Sequence, residues 1–387
     1  MKIVDIREIT VPINSDIRNS VISFSSMTIS LVAVITDEIR DGKPLVGYGL
    51  NSNGRYGQGG ILRERIIPRL MQAPSKALLS NDRTNIDPFK CWQIMMTNEK
   101  PGGHGDRSVA VGTIDMALWD LAAKVEDRPL YRLLAERFNN NNCDESVYLY
   151  AAGGYYYPGK DIEGLENEFA KYLDMGFDTC KMKIGGASLA EDLKRIEAAL
   201  KIVGSGDALA IDANGKFDES QALEYGRAIE GYKLKWYEEP VDPLDYSATA
   251  IVSGSTKTPL ATGENIFSTI DSQNLIRFGG LVSDRDYLQF DPVLSYGLVE
   301  YLRTLEMLND HNWSPGRCIP HGGHLFGVHL AAGLGLYGME AYPNVFVPFG
   351  HFTNGMQIED GRVNLPKEPG IGFEAVPDLY EILCKLI

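Results

Sequence analysis

The chain has 387 residues, 44% of them hydrophobic, which is enough for two domains or for one large domain with a smaller companion. A formal net charge of −15 with no basic tract excludes the electrostatic footprint of a nucleic-acid binder. No apolar run reaches the roughly 18 residues of a membrane span, and the five scattered cysteines form no CxxC pair, so they read as free thiols of a reducing, cytoplasmic compartment.

The first segment, MKIVDIREITVPI, reads as a strand rather than a signal peptide. Strands are expected from Ile3 to Val11 and from Met27 to Thr36, and the turn EIRDGKP leads from the second into PLVGYGL. Together they make a small antiparallel meander. Glycine-rich NSNGRYGQGG then precedes helical ILRERIIPRLM. In SVAVGTIDMALWDLAAK, apolar residues recur at helical spacing through Val111, Ile114, Leu118 and Leu121. A shorter helix is expected in DRPLYRLLAERF. Residues 1–140 therefore read as an α+β domain.

From Val147 the rhythm changes. Strand-like VYLYAAGG, FDTCKMKIG, ALAIDANG, LKWYEEP, PLATGEN, DYLQFDP, GRCIPHGG and LYGMEA alternate with helical stretches. Eight such strands with polar carboxyl ends favour a parallel α/β barrel over an open doubly wound sheet. No GxGxxG lies between a strand and a helix, as a dinucleotide loop requires, and the phosphate loop GxxxxGK[ST] is missing. The tail from residue 356 reads as a hairpin, a Pro/Gly loop and a terminal helix.

Three acids end three successive strands at equal spacing: Asp212, Glu238 and Glu264, with 238 − 212 = 26 and 264 − 238 = 26. That interval fits one β/α unit, so a barrel brings the three carboxylates together at the strand ends where barrel enzymes do chemistry. Singly, each is open to a blander reading as a helix cap, a solvated glutamate or a turn residue. Together they crowd charge that a cation must offset, and an all-oxygen set suits Mg²⁺ better than Zn²⁺. Asn214 and Asn265 lie beside these ligands and are placed to hydrogen-bond them. Alternation puts Lys181 and Lys183 on one face of their strand. Exposed strand-end lysines are the ordinary case. Beside a metal site, one of them is a candidate base, its pKa lowered by the other ammonium and the cation. His321 follows a short strand, and Asp291, one strand earlier, is placed to orient it. Glu340 ends the last short strand, where a protonated carboxyl would hydrogen-bond an incoming carboxylate.

In this order the residues resemble the enolase superfamily, in its mandelate racemase-like subgroup. The resemblance implies a modified TIM barrel, (β/α)₇β, over residues 141–355, an α+β capping domain over 1–140, and a C-terminal segment, 356–387, packing back on the capping domain. It makes Asp212, Glu238 and Glu264 the Mg²⁺ ligands, Lys183 of KMK the base, His321 the acid held by Asp291, and Lys181 and Glu340 the groups that stabilise an enediolate. The loop NEKPGGHGDR, RCIPHGGH and FDPVLSYG are similar to those of the D-tartrate dehydratases, which implies conversion of D-tartrate to oxaloacetate and water. Dehydration of another sugar acid (aldonate or aldarate), or racemisation or epimerisation of a 2-hydroxy acid, uses the same residues. A dicarboxylate also needs cations at its distal end, and Arg55, Lys100 and His104 in capping-domain loops are the candidates. The resemblance further implies a homo-oligomer, a dimer or an octamer, with a small acid as the only other partner.

Overall fold

The computed structural model describes every residue except 14, 16, 53, 54, 158 and 160. Three antiparallel strands open the chain: β1 (Ile3–Pro12), β2 (Thr28–Arg40) and β3 (Lys43–Leu50), in the order β1-β2-β3. The β2–β3 turn is made by Asp41 and Gly42, both at positive φ, which matches the twist of a tight hairpin. An irregular helical stretch follows as α1 (Gln58–Ile61), a π turn at Leu62–Ile66 and α2 (Ile67–Gln72). The π turn sits directly before Pro68, which lacks the amide that a regular ladder would use. Next come α3 (Pro88–Met95), α4 (Asp106–Val125) and α5 (Leu130–Phe138).

Helix α4 is buried almost along its whole length, and it is apolar or small on nearly every side. It lies so close to β3 that a Cβ at Gly49 would fall 2.2 Å from the Thr113 carbonyl oxygen, so only glycine fits there. Trp119, Leu118 and Leu121 are fully buried, each contributing about 1.5–3 kcal/mol through lost apolar surface.

The second half alternates strand and helix: β4 (Ser146–Gly153), α6 (Ile162–Asp174), β5 (Cys180–Lys183), α7 (Leu189–Val203), β6 (Leu209–Asp212), α8 (Glu219–Ile229), β7 (Tyr237–Glu238), α9 (Tyr246–Ser255), β8 (Leu260–Thr262), α10 (Thr269–Phe278), β9 (Tyr287–Leu288), α11 (Leu298–Asp310), α12 (Leu325–Leu334) and β10 (Met339–Ala341). Neighbouring strands from β4 to β9 pair in parallel. Cys318 supplies the seventh strand position through a parallel bridge to Leu288. Its carbonyl accepts the Tyr337 amide, and β10 pairs in parallel with β4. The sheet thus closes with eight strand positions and seven intervening helices among the described residues: a (β/α)₇β barrel.

Asp161, Ser188, Asp218, Asp245 and Ser268 cap helices α6 to α10 by accepting a first-turn amide. Each cap ends a strand-to-helix loop within a few residues and fixes its path. In the tail, β11 (Ile358–Glu359) and β12 (Arg362–Asn364) form a hairpin that pairs antiparallel with β4. Beyond it, α13 (Pro377–Leu383) brings Tyr380 edge-on to Tyr48 of β3, and Glu374 reaches Lys124 of α4 at 2.5 Å. The five cysteines are free. Among the described residues no helix is long and apolar enough to cross a membrane.

Candidate active site

Register places the charged residues. Lys183 pairs with Asp212, and Asp212 with Glu238, so the ends of the second, third and fourth barrel strands lie in one row. Glu264 follows two residues after the fifth strand. Asp212, Glu238 and Glu264 each offer an oxygen, and these oxygens lie within 4.8 Å of one another. That spacing is close to the roughly 4.2 Å across an octahedral Mg²⁺ shell with bonds of about 2.1 Å. Hard oxygen donors with no nitrogen or sulfur among them fit Mg²⁺ rather than Zn²⁺.

The electrostatics point the same way. Burial, then the Asp212 charge, push Glu238 up to about 8 despite the opposing ammonium of Lys181. Burial and the charges of Glu264, Asp212 and Glu238 also push the next residue, Glu239, well above the usual carboxylate range. One Glu239 oxygen accepts from Asn265 at 3.0 Å, while the other is buried without a hydrogen-bond partner. Carboxylates crowded this closely are relieved by a cation.

The two lysines are buried as alternation requires, but their protons are held more tightly than the sequence reading expected. Lys181 reaches Glu238 and Glu340, both at 2.7 Å, and Lys183 reaches Asp212 at 2.5 Å. Burial alone would lower both pKa values. The carboxylates, Glu238 first for Lys181 and Asp212 first for Lys183, outweigh it and raise them. The Lys183 partner, Asp212 Oδ2, belongs to the triad, so a cation bound there competes with the ammonium and eases loss of its proton. A second expectation is corrected at Glu340. Burial favours its neutral form, but Lys181, His321 and Lys183 lower its pKa, so it is ionised rather than a hydrogen-bond donor.

Across the mouth, His321 Nδ1 lies 2.8 Å from Asp291 Oδ2, and its Nε2 lies 3.2 Å from Glu264 Oε2. Burial would lower the imidazole pKa, but Glu264 and the Asp291 hydrogen bond lift it to about 9. In strand order the triad lies between the second-strand lysines and the seventh-strand histidine. Asn214 donates to Asp212 through its amide at 2.8 Å and its side chain at 3.2 Å, and Asn265 donates to Glu264 at 3.3 Å.

Lys183, Asn214, Glu264, Asn265 and His321 line one cavity of about 400 Å³, closed on the capping side by Ile22, Phe24, Arg55 and Tyr56. Of the three distal cations expected from the sequence, the structure brings only Arg55 into this cavity. Lys100 and His104 line an adjoining cavity of about 710 Å³ that shares Asn265 and Phe267 with the first. His104 is turned toward the Tyr296 hydroxyl at 3.0 Å and Asp271 at 3.8 Å.

The chain matches the family described as "Enolase C-terminal domain-like" over residues 164–379 and "Mandelate racemase / muconate lactonizing enzyme, N-terminal domain" over residues 6–135. It belongs to the enolase superfamily. Arabinonate dehydratase of Saccharolobus solfataricus is 28% identical over 356 residues, 90% of each chain. The structure of L-talarate dehydratase from Polaromonas sp. JS666, complexed with Mg and L-glucarate, superposes at a TM-score of 0.76 with 26% identity, covering 95% of this chain and 92% of that one. A racemase from Streptomyces coelicolor with bound magnesium gives 0.78 at 25% identity, covering 99% of both chains.

In this enolase-superfamily member several site residues escape sequence reasoning. Trp236 and Gln289 donate to Glu238 Oε2 at 2.9 and 2.8 Å from below. The Tyr342 hydroxyl donates to Glu340 at 2.7 Å and lies 3.4 Å from His321 Nε2. Strand alternation was the available signal for two of these, since Trp236 stands two residues before Glu238 and Tyr342 two after Glu340. Ser52, which donates to Asp291 at 2.7 Å, gave none.

Proposed function

We propose that this protein is a Mg²⁺-dependent hydro-lyase acting on a hydroxy-dicarboxylate of the acid-sugar class, giving a 2-keto acid and water. The observation that carries this reading is that Lys183 and His321 line one cavity together with Glu264 of the carboxylate triad. Asp212, Glu238 and Glu264 hold the cation. When bound, Mg²⁺ supplies the positive charge that a carboxylate needs as its neighbouring carbon loses a proton.

Lys183 takes the proton from carbon 2, and the electron pair of that C–H bond moves into the carboxylate. Lys181, held by Glu238 and Glu340, faces the developing charge with a fixed ammonium. The pair then returns to form the C2–C3 double bond as the C3–O bond breaks. His321, whose protonated form the Asp291 hydrogen bond favours, gives its proton to the leaving hydroxyl. Water departs, and the enol takes a proton at carbon 3 to become the 2-keto acid. Asp291 keeps the Nδ1 side of His321 occupied, so Nε2 is the nitrogen that faces the reaction.

Arg55 favours a diacid over an aldonate, because it is a cation lining the cavity from the capping side. The relatives include both kinds: arabinonate dehydratase by name for one, and a talarate dehydratase solved with L-glucarate for the other. D-tartrate is the shortest diacid of the class and the one to which the loop resemblances point. A screen of D-, L- and meso-tartrate, galactarate, L-glucarate and arabinonate with Mg²⁺, read as 2-keto acid, tests the proposal. Turnover of a diacid is expected. Turnover of arabinonate alone would move the substrate class, and deuterium entering substrates in D₂O with no 2-keto acid would make the enzyme a racemase or epimerase.

A further inference from the structure

His321 and Asp291 belong to the barrel, but one of their contacts comes from the other domain. Ser52 lies two residues beyond β3 and is fully buried. Its hydroxyl donates to Asp291 Oδ2 at 2.7 Å, the same oxygen that meets His321 Nδ1 at 2.8 Å. The other oxygen, Oδ1, accepts the amides of Val293 and Leu294 at 2.7 and 2.8 Å. All four acceptor positions of the carboxylate are therefore used, and its orientation is fixed from two domains.

Ser52 also touches the turn that carries His321. A Cβ placed on Gly322, at φ 115°, would fall 2.8 Å from Ser52 Oγ, so the serine occupies the space beside the residue that follows the histidine. The segment after Asp291 is seated on the capping domain at further points. A Cβ on Gly112 of α4 would fall 1.9 Å from the Val293 carbonyl oxygen, Trp92 donates to the Tyr296 carbonyl at 2.9 Å, and Asp115 accepts the Leu298 amide at 2.6 Å. Among these contacts Ser52 is the one that reaches the carboxylate itself.

We propose that Ser52 is a positioning residue of the acid–base pair: its hydroxyl, delivered by the capping domain, holds Asp291 and the His321 turn so that His321 is aimed at the leaving hydroxyl. The proposal rests on the hydro-lyase reading. An orienting group of this kind acts only on steps that use the histidine. Removal of the C2 proton by Lys183 does not need it, whereas loss of the C3 hydroxyl does.

The test is Ser52→Ala in the Mg²⁺-loaded enzyme, with the fastest substrate among D-tartrate, galactarate and L-glucarate. In D₂O, solvent deuterium entering unreacted substrate at C2 reports Lys183, and 2-keto acid reports the complete elimination. The expected result is a loss of about 10- to 100-fold in 2-keto acid formation, an exchange rate within about threefold of the unaltered enzyme, and partial recovery in Ser52→Thr. Equal loss of both rates with a lowered melting temperature would make the contact merely structural, and unchanged elimination would remove any role. A second measurement does not depend on turnover. In protein labelled with ¹⁵N-histidine, the His321 ring resonances should move in Ser52→Ala while those of His329 stay in place, and unmoved His321 resonances would overturn the proposal. If the unaltered enzyme forms no 2-keto acid from any of the three acids, the hydro-lyase reading fails, and the resonances alone decide whether Ser52 orients the pair.

Discussion

The barrel floor and the capping-domain loops meet at one cavity but are built differently. On the floor, Lys181, Lys183, Asp212, Glu238 and Glu340 stand on paired strands and bind one another at 2.5 to 2.7 Å, apart from the 3.6 Å between Lys181 and Asp212. On the capping side, Arg55 comes from a loop beyond β3, and Lys100 and His104 from a loop that opens onto a different cavity. The floor groups cannot move independently, and the proton removal proposed above rests on them. On the proposed reading the distal end of the substrate is left to Arg55, on a loop that can change without disturbing the floor.

The sharpest way to break this contrast is at the floor. Chelation with EDTA should abolish turnover and Mg²⁺ should restore it. Isothermal titration should show Mg²⁺ binding to the unaltered protein and none to Asp212→Asn; a chelated enzyme with full activity would sink the metal assignment. Lys183→Ala should lower kcat by on the order of 10³-fold or more and abolish C2 exchange together with elimination. Surviving exchange would place the base elsewhere.

On the capping side the effects should be smaller and should fall on binding. Arg55→Ala is expected to raise KM for a diacid about 10- to 100-fold with kcat reduced less, as for a lost charge-assisted contact. Lys100→Ala and His104→Ala should each stay within about threefold. Steady-state kinetics on the same diacid separate these cases, and a large Lys100 effect would bring its loop into the catalytic cavity.

A separate effect, on stability rather than turnover, concerns neither region but the junction between them. His329 of α12 accepts the Tyr131 amide at 3.1 Å and meets the Ile371 carbonyl at 2.9 Å, so capping domain, barrel and tail share one imidazole. Burial pushes its pKa down to about 4. As pH falls below about 6.5 the unfolded chain takes the proton first. The stability is therefore complete above 6.5 and is lost progressively toward 4, by about 3 kcal/mol in total. Denaturant titrations across this window should show the slope, and His329→Gln should flatten it. Equal slopes in both proteins would assign it to other groups.

Much of the floor was legible in the sequence because a barrel repeats. Equal spacing pointed to Asp212, Glu238 and Glu264, and alternation to Lys181 with Lys183. The protonation of Lys183 was not legible, because it depends on a 2.5 Å contact with Asp212 that strand register creates. Nor was the ionised state of Glu340, which follows from Lys181 reaching past β4 to it on β10. The capping-side cations were read from loop composition alone, and composition does not say which cavity a loop faces. Ser52 carries no periodic signal at all, since its partner lies 239 residues away in another domain.

The seventh strand position of the barrel consists of little more than Cys318, joined to its neighbours by the Leu288 bridge and the Tyr337 amide. It is the seam of the barrel, where the ladder of backbone bonds is thinnest, and His321 emerges three residues after it. A seam of this kind opens at lower cost than a full ladder, so amides near 318–321 should exchange with solvent sooner than those of β5 or β6. His321, the acid of the proposed reaction, is thus anchored mainly by its side-chain neighbours Asp291 and Glu264 rather than by a strand ladder.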